Sequence, residues 1–185
     1  IGGGFTEYDG AERQHLARIY GGSMAGSGTF EFTAGLYQAS ESQTNAVITV
    51  RRRGGTSGPP GGTNILVRTV TSDGTATNGL HYVGGTNDLM FPPGEVFEQY
   101  EIPVVDDFEI NSNRTVFLAI TGLEPAGAPG LGFGNQPTAV LNILNDDSAI
   151  SFASATFSVN ENGPDGAAPI TLVRRGSLAE AASVD

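Results

Sequence analysis

The chain contains no cysteine, so neither a disulfide nor a thiolate metal site is open to it, and its redox compartment cannot be read from bridges. Histidine is almost as scarce, His15 and His81 being the only two. With no Gly-x-Ser-x-Gly elbow either, a nucleophilic triad has no parts to be built from, and the chain is not expected to be an enzyme. No apolar run approaches the roughly 18 residues of a membrane helix, which argues against membrane insertion by these residues. Basic residues are few, nine against twenty acidic ones, and the formal charge of -11 repels a nucleic-acid backbone and an anionic membrane alike. The start also lacks the basic-then-apolar pattern of a signal peptide, and the natural N-terminus is expected upstream of Ile1.

What the chain has in quantity is punctuation. Its 27 glycines and 10 prolines fall between short stretches of Val, Ile, Thr, Phe and Tyr, the composition of an all-β protein. A repeat underlies the pattern: Phe32, Tyr37 and Glu41 recur as Phe152, Phe157 and Glu161, and Ile48-Thr49 recurs as Ile170-Thr171 after a slip of two residues. A loop insertion around Pro164-Asp165-Gly166 accounts for the slip. The expected division is a leader over 1–27, a complete sandwich over 28–147 and a truncated second copy over 148–185, holding only its first two strands.

Within the first copy, alternation predicts seven strands near 29–38 (with a break at Ala34-Gly35), 45–53, 64–72, 87–91, 96–105, 114–121 and 137–144. Seven short strands separated by glycine and proline turns imply two packed antiparallel sheets, an immunoglobulin-like sandwich. Val47, Val50, Leu66, Val70, Phe91, Phe117 and Ile143 are the core candidates. Arg51-Arg52-Arg53 and Arg174-Arg175 stand at equivalent strand ends and read as solvated guards of a sheet edge.

Successive strands of such a sandwich run in opposite directions, so every second strand exit shares one pole. Glu41 follows the first strand, Asp73 the third, Asp106 and Asp107 the fifth, and Asp146 and Asp147 the seventh. Carboxylates gathered this closely repel one another unless a cation neutralises them, and an all-oxygen set suits Ca²⁺ better than Mg²⁺. The other reading is a solvated acidic rim, because Asp is common in turns for local hydrogen-bonding reasons. An EF-hand loop starting at Asp107 is excluded: its sixth position is Ser112 and its twelfth is Leu118, so the bend and the bidentate ligand are both missing.

Five ordered motifs carry a family resemblance. Tyr37-Gln38-Ala39-Ser40-Glu41, the run from Asp73-Gly74 through Tyr82, Phe91-Pro92-Pro93-Gly94-Glu95, Ile102-Pro103-Val104-Val105-Asp106-Asp107 and Ile143-Leu144-Asn145-Asp146-Asp147 together resemble a Calx-β domain over residues 28–147. The resemblance implies a seven-strand sandwich, with calcium in the binding members held at the inter-domain pole by residues matching Glu41, Asp73, Asp106, Asp107, Asp146 and Asp147. It also shows departures. Asn111 and Arg114 stand where binding members carry two glutamates, Asn145 where an aspartate is frequent, and His81 in place of the usual aspartate before Tyr82. An arginine there supplies a fixed positive charge in place of a ligand, so one weakly held calcium ion at most is expected. Residues 2–19, from Gly2-Gly3-Gly4-Phe5-Thr6 to Leu16-Ala17-Arg18-Ile19, resemble the end of a bacterial delta-60 propeller-type repeat.

These readings lead to a non-catalytic structural or adhesion module of an extracellular or cell-surface protein, secreted and bacterial. Its expected partners are neighbouring domains of the same large protein and other protein chains of a surface assembly. Recognition of protein or glycan through loops, and membership of a fibre joined by strand addition, are the alternatives.

Overall fold

The computed structural model describes residues 7–8, 11–12, 26–56, 58–59, 61–162, 167–178 and 181–183. In the leader, β1 (Glu7–Tyr8) pairs antiparallel with β2 (Ala11–Glu12). The remainder of the propeller-like run, and the Pro164-Asp165-Gly166 insertion, lie outside the described residues.

Every regular element among the described residues is a strand. β3 (Gly28–Phe32), β5 (Asn45–Arg53), β8 (Phe97–Pro103) and β10 (Leu131–Phe133) form one sheet in the order β10-β3-β5-β8. β4 (Leu36–Ser40), β6 (Ile65–Asp73), β7 (Thr86–Phe91), β9 (Arg114–Glu124) and β11 (Thr138–Leu144) form the other in the order β4-β11-β9-β6-β7. Side chains of both sheets share one core, in which Phe30, Phe32, Ile48, Val50 and Ile102 of the first meet Ile65, Val67, Phe91, Val116, Leu118 and Leu141 of the second. This is the all-β, immunoglobulin-like sandwich that the alternation implies.

Two features refine it. The break at Ala34-Gly35 is a change of sheet: β3 pairs antiparallel with β5, whereas β4 pairs parallel with β11. The short β10, in the connector between β9 and β11, runs parallel to β3. The sandwich is therefore antiparallel except along these two seams.

The inward phase departs from the core candidates on several strands. Val50, Phe91 and Ile143 are buried, but Val47 and Phe117 are each 50% exposed, and Leu66 and Val70 are half-buried while Ile65, Val67 and Thr69 point inward. These strands carry apolar residues on both faces, so alternation shows the period without saying which face is the core. Arg51, Arg52 and Arg53 are not edge guards either, because β5 is a central strand. Arg51 and Arg53 pair with Glu31, while Arg52 is buried, donates to the carbonyls of Ser27 and Pro92, and lies over the Phe30 ring.

Beyond the sandwich, β12 (Ser148–Phe152) pairs antiparallel with β13 (Leu172–Gly176). The pair repeats the register of β3 and β5: Phe152 faces Leu172 as Phe32 faces Val50, and Ala149 faces Arg175 as Thr29 faces Arg53. An edge-to-face aromatic pair recurs with it, Phe152 with Phe157 at 6.2 Å against Phe32 with Tyr37 at 6.4 Å. Phe32 is fully buried, but Phe152 is 66% exposed, because no second sheet covers this face among the described residues.

Candidate metal centre

Three strand exits build the pole that faces β12. Because β4 and β11 are parallel, with Ser40 opposite Leu144, they leave the sheet side by side, and the Glu41 N–H donates to the Leu144 carbonyl at 3.0 Å. The chain after β8 joins them where the Val104 N–H donates to the Thr44 carbonyl at 3.0 Å. These exits carry Glu41, then Asn145-Asp146-Asp147, then Asp106-Asp107.

Five of the six expected residues come together. Glu41, Asp107 and Asp147 bring carboxylate oxygens within 4.8 Å of one another, and so do Asp106, Asp146 and Asp147, with Asp147 common to both groups. Asp73 belongs to neither. It closes its own loop instead, its Oδ1 accepting from the Tyr82 hydroxyl at 2.7 Å and the Asn78 N–H at 2.9 Å. Burial, with the Asp73 carboxylate second, pushes the Tyr82 phenol up to about 12. His81, in the same loop, is buried and accepts the Thr77 N–H on Nδ1 at 2.9 Å.

The surroundings of each carboxylate differ. Glu41 is 5% exposed, and burial raises its carboxyl above the ordinary range, aided by the charges of Asp107 and Asp147; hydrogen bonds from Asn145 and the Asp146 N–H oppose that rise without cancelling it. Asp146 is held below the ordinary range by the hydroxyls of Ser40 and Ser42. Asp107 accepts from the Glu109 N–H at 2.8 Å and from the Asn111 amide. Ser40 and Ser42 were not candidates from sequence, although their position on either side of Glu41 at a strand exit was a usable signal. Arg114 forms no ion pair among the described residues, and its Nε is buried without a hydrogen-bond partner. It does not supply the expected neutralising charge by direct pairing; Glu41, Asp107 and Asp147 instead receive hydrogen bonds from the neutral amides of Asn145 and Asn111.

The Calx-beta domain model matches residues 25–147. The chain belongs to the Calx-beta domain family. It is 29% identical over 133 residues to the sodium/calcium exchanger Calx of Drosophila melanogaster, and 30% identical over 146 residues to sodium/calcium exchanger 1 of Mus musculus, each match covering 71% of this chain. These matches span only 13% and 15% of those relatives' lengths. Among solved structures, the apo-form Calx CBD1 domain superposes with a TM-score of 0.57 at 28% identity, covering 64% of this chain and 97% of that one. The calcium-binding domain CBD12 of CALX1.1 superposes with a TM-score of 0.57 at 28% identity, covering 72% of this chain and 53% of that one.

Calx-beta domains of this kind are regulatory modules, not catalytic ones. The residues of this Calx-beta pole fit a calcium ion: every charged donor is an oxygen, and Asp106 Oδ1 is buried with no hydrogen-bond partner among the described residues, an atom that a cation would satisfy. Among the described residues, no helix is long and apolar enough to cross a membrane.

Proposed function

We propose that the chain is a non-catalytic module of tandem Calx-beta repeats, divided at residues 27 and 147, in which calcium at the pole of the first repeat stiffens its joint with the second. The observation that carries this reading is the convergence of Glu41, Asp106, Asp107, Asp146 and Asp147 directly before Ser148, where β12 begins. Asp147 also touches the second pair of strands through its backbone, its carbonyl accepting the Ser177 N–H at 2.8 Å. An ion held by Asp147 would therefore act on the hinge itself. The wider role is that of a spacer in a secreted or cell-surface protein, supported by the repeat and the strong negative charge.

The test is a thermal melt of the whole chain in millimolar calcium and in chelator. An ion that binds only the folded state stabilises by mass action, about 2.7 kcal/mol at a hundredfold excess over its dissociation constant. Calcium should raise Tm, and Asp147→Asn, which weakens both groups, should abolish the rise. A wild-type melt indifferent to calcium would leave only the spacer role.

A further inference from the structure

The two groups of carboxylates at the pole are finished differently. In the group of Glu41, Asp107 and Asp147, each carboxylate already receives a neutral amide. Asn145 Nδ2 donates to Glu41 Oε1 at 2.5 Å and lies 3.3 Å from Asp147 Oδ2, while Asn111 Nδ2 lies 3.1 and 3.3 Å from the two oxygens of Asp107. Asn145 is also fixed from outside the group. Its backbone N–H donates to Asn113 Oδ1 at 3.1 Å, and its amino group reaches the Glu109 carbonyl at 2.9 Å. The Glu109 carbonyl beside that amino group has no hydrogen to give, so the amide must present its NH₂ there.

The group of Asp106, Asp146 and Asp147 shares only the Asn145 contact at Asp147, and no side-chain amide reaches Asp106 or Asp146 among the described residues. Hydroxyls of Ser40 and Ser42 serve Asp146, and Asp106 Oδ1 is left buried and without a partner among the described residues.

We propose that Asn145 and Asn111 stand in for a cation at Glu41, Asp107 and Asp147, so that this domain takes calcium only at Asp106, Asp146 and Asp147. The inference rests on the calcium reading above and deepens it to a number of ions and the residues that fix it. An amide NH₂ offers two polarised hydrogens and no net charge. It relieves the crowding of carboxylates only in part. A calcium ion needs six to eight oxygen ligands, and a group with an amino group directed into it presents the wrong polarity. Replacing Asn145 by Asp turns the donor into an acceptor, and the group then requires a cation to hold it together.

The experiment is calorimetric titration of the whole chain with calcium, beside melts in chelator and in calcium, for wild type, Asn145→Asp and Asn145→Ala. Expected are one ion per wild-type chain and two per Asn145→Asp chain, the variant melting lower than wild type in chelator and gaining more from calcium. An Asn145→Asp chain that folds only in calcium meets the same expectation. Asn145→Ala then supplies the count, since it removes the donor without adding charge and should also open the second position. Two ions on the wild type would overturn the inference, as would variants that keep both the wild-type stoichiometry and the wild-type melt in chelator. A wild type that takes no calcium defeats the calcium reading and this inference together, whereas one ion on wild type beside unchanged variants defeats this inference alone.

Discussion

The backbone N–H of Asn135 donates to Glu31 Oε2 at 2.8 Å, pinning the connector after β10 to β3 across more than half the chain. Glu31 is 2% exposed, yet it is fully provided with donors, because Arg51 Nε lies 2.8 Å and Arg53 Nη1 3.3 Å from its other oxygen. A carboxylate this buried is tolerable only when paired and hydrogen-bonded. Gly134 lets the connector come this close: a Cβ there would sit 2.6 Å from Glu31 Oε2.

Glu31→Ala should therefore release the connector and destabilise the sandwich by about 1–3 kcal/mol, the cost of orphaning such hydrogen bonds. Arg51 and Arg53 are 35% and 58% exposed and can return to water, which keeps the loss below that of a stranded buried charge. Burial opposes ionisation of Glu31, but the arginines and the Asn135 N–H outweigh it and hold the carboxyl below the ordinary range. A depressed carboxyl pKa stabilises above the unfolded value and loses that contribution as pH falls through the folded one. Denaturant melts of wild type and variant should differ fully at neutral pH and converge in acid, with faster amide exchange at Asn135 in the variant.

Glu41 carries the opposite sign. Its raised pKa means that the protonated form suits the fold, so its favourable contribution is present in acid and lost as pH rises through the folded value. Glu41→Gln keeps an Oε1 to accept from Asn145 and the Asp146 N–H but removes the charge beside Asp107 and Asp147. In chelator at neutral pH the variant should melt above wild type, and the gap should close as pH falls through the raised Glu41 range. A variant that melts below wild type at every pH would show that repulsion at this group is not a destabilising force.

Much of this was legible before any coordinates. The strand from Asn45 to Arg53 was bounded by its turns, and the Ala34-Gly35 break marked the place where the chain changes sheet. The convergence of Glu41 with the carboxylates at 106–107 and 146–147 followed from which strands exit together. Burial of Arg52 was hidden because its partners, the Ser27 carbonyl and Phe30 ring at β3 and the Pro92 carbonyl after β7, come from two segments far from it in sequence. Asp73 was misleading for a related reason: a strand exit tells where a residue stands, but the Tyr82 hydroxyl and the Asn78 N–H decide what its oxygen does. Asn145 and Asn111 were noticed only as missing carboxylates, since a sequence does not show which atom of an amide faces its neighbours.

The contact between Asp147 and the pair β12–β13 offers the last prediction, through two glycines at matching strand ends. Gly54 closes β5 and Gly176 closes β13, both in the left-handed region with φ of 82° and 91°. A Cβ on Gly54 would meet nothing within 4 Å, so Gly54→Ala incurs only the backbone strain, about 1–2 kcal/mol. A Cβ on Gly176 would lie 2.3 Å from the Asp147 carbonyl oxygen, 2.9 Å from Ser148 Cα and 3.1 Å from Ile110 Cγ2. None of these atoms is the loose end of a long side chain, so Asp147 or β13 must move, and the bond from the Ser177 N–H to the Asp147 carbonyl goes with it. Gly176→Ala should thus speed amide exchange at Ser177 and shrink the calcium-induced rise in Tm by shifting a residue shared by both carboxylate groups. Gly54→Ala should lower the melt in chelator and leave the calcium increment as it is in wild type. Equal calcium increments in all three proteins would mean that the seat of Gly176 against Asp147 does not couple the second pair of strands to the pole.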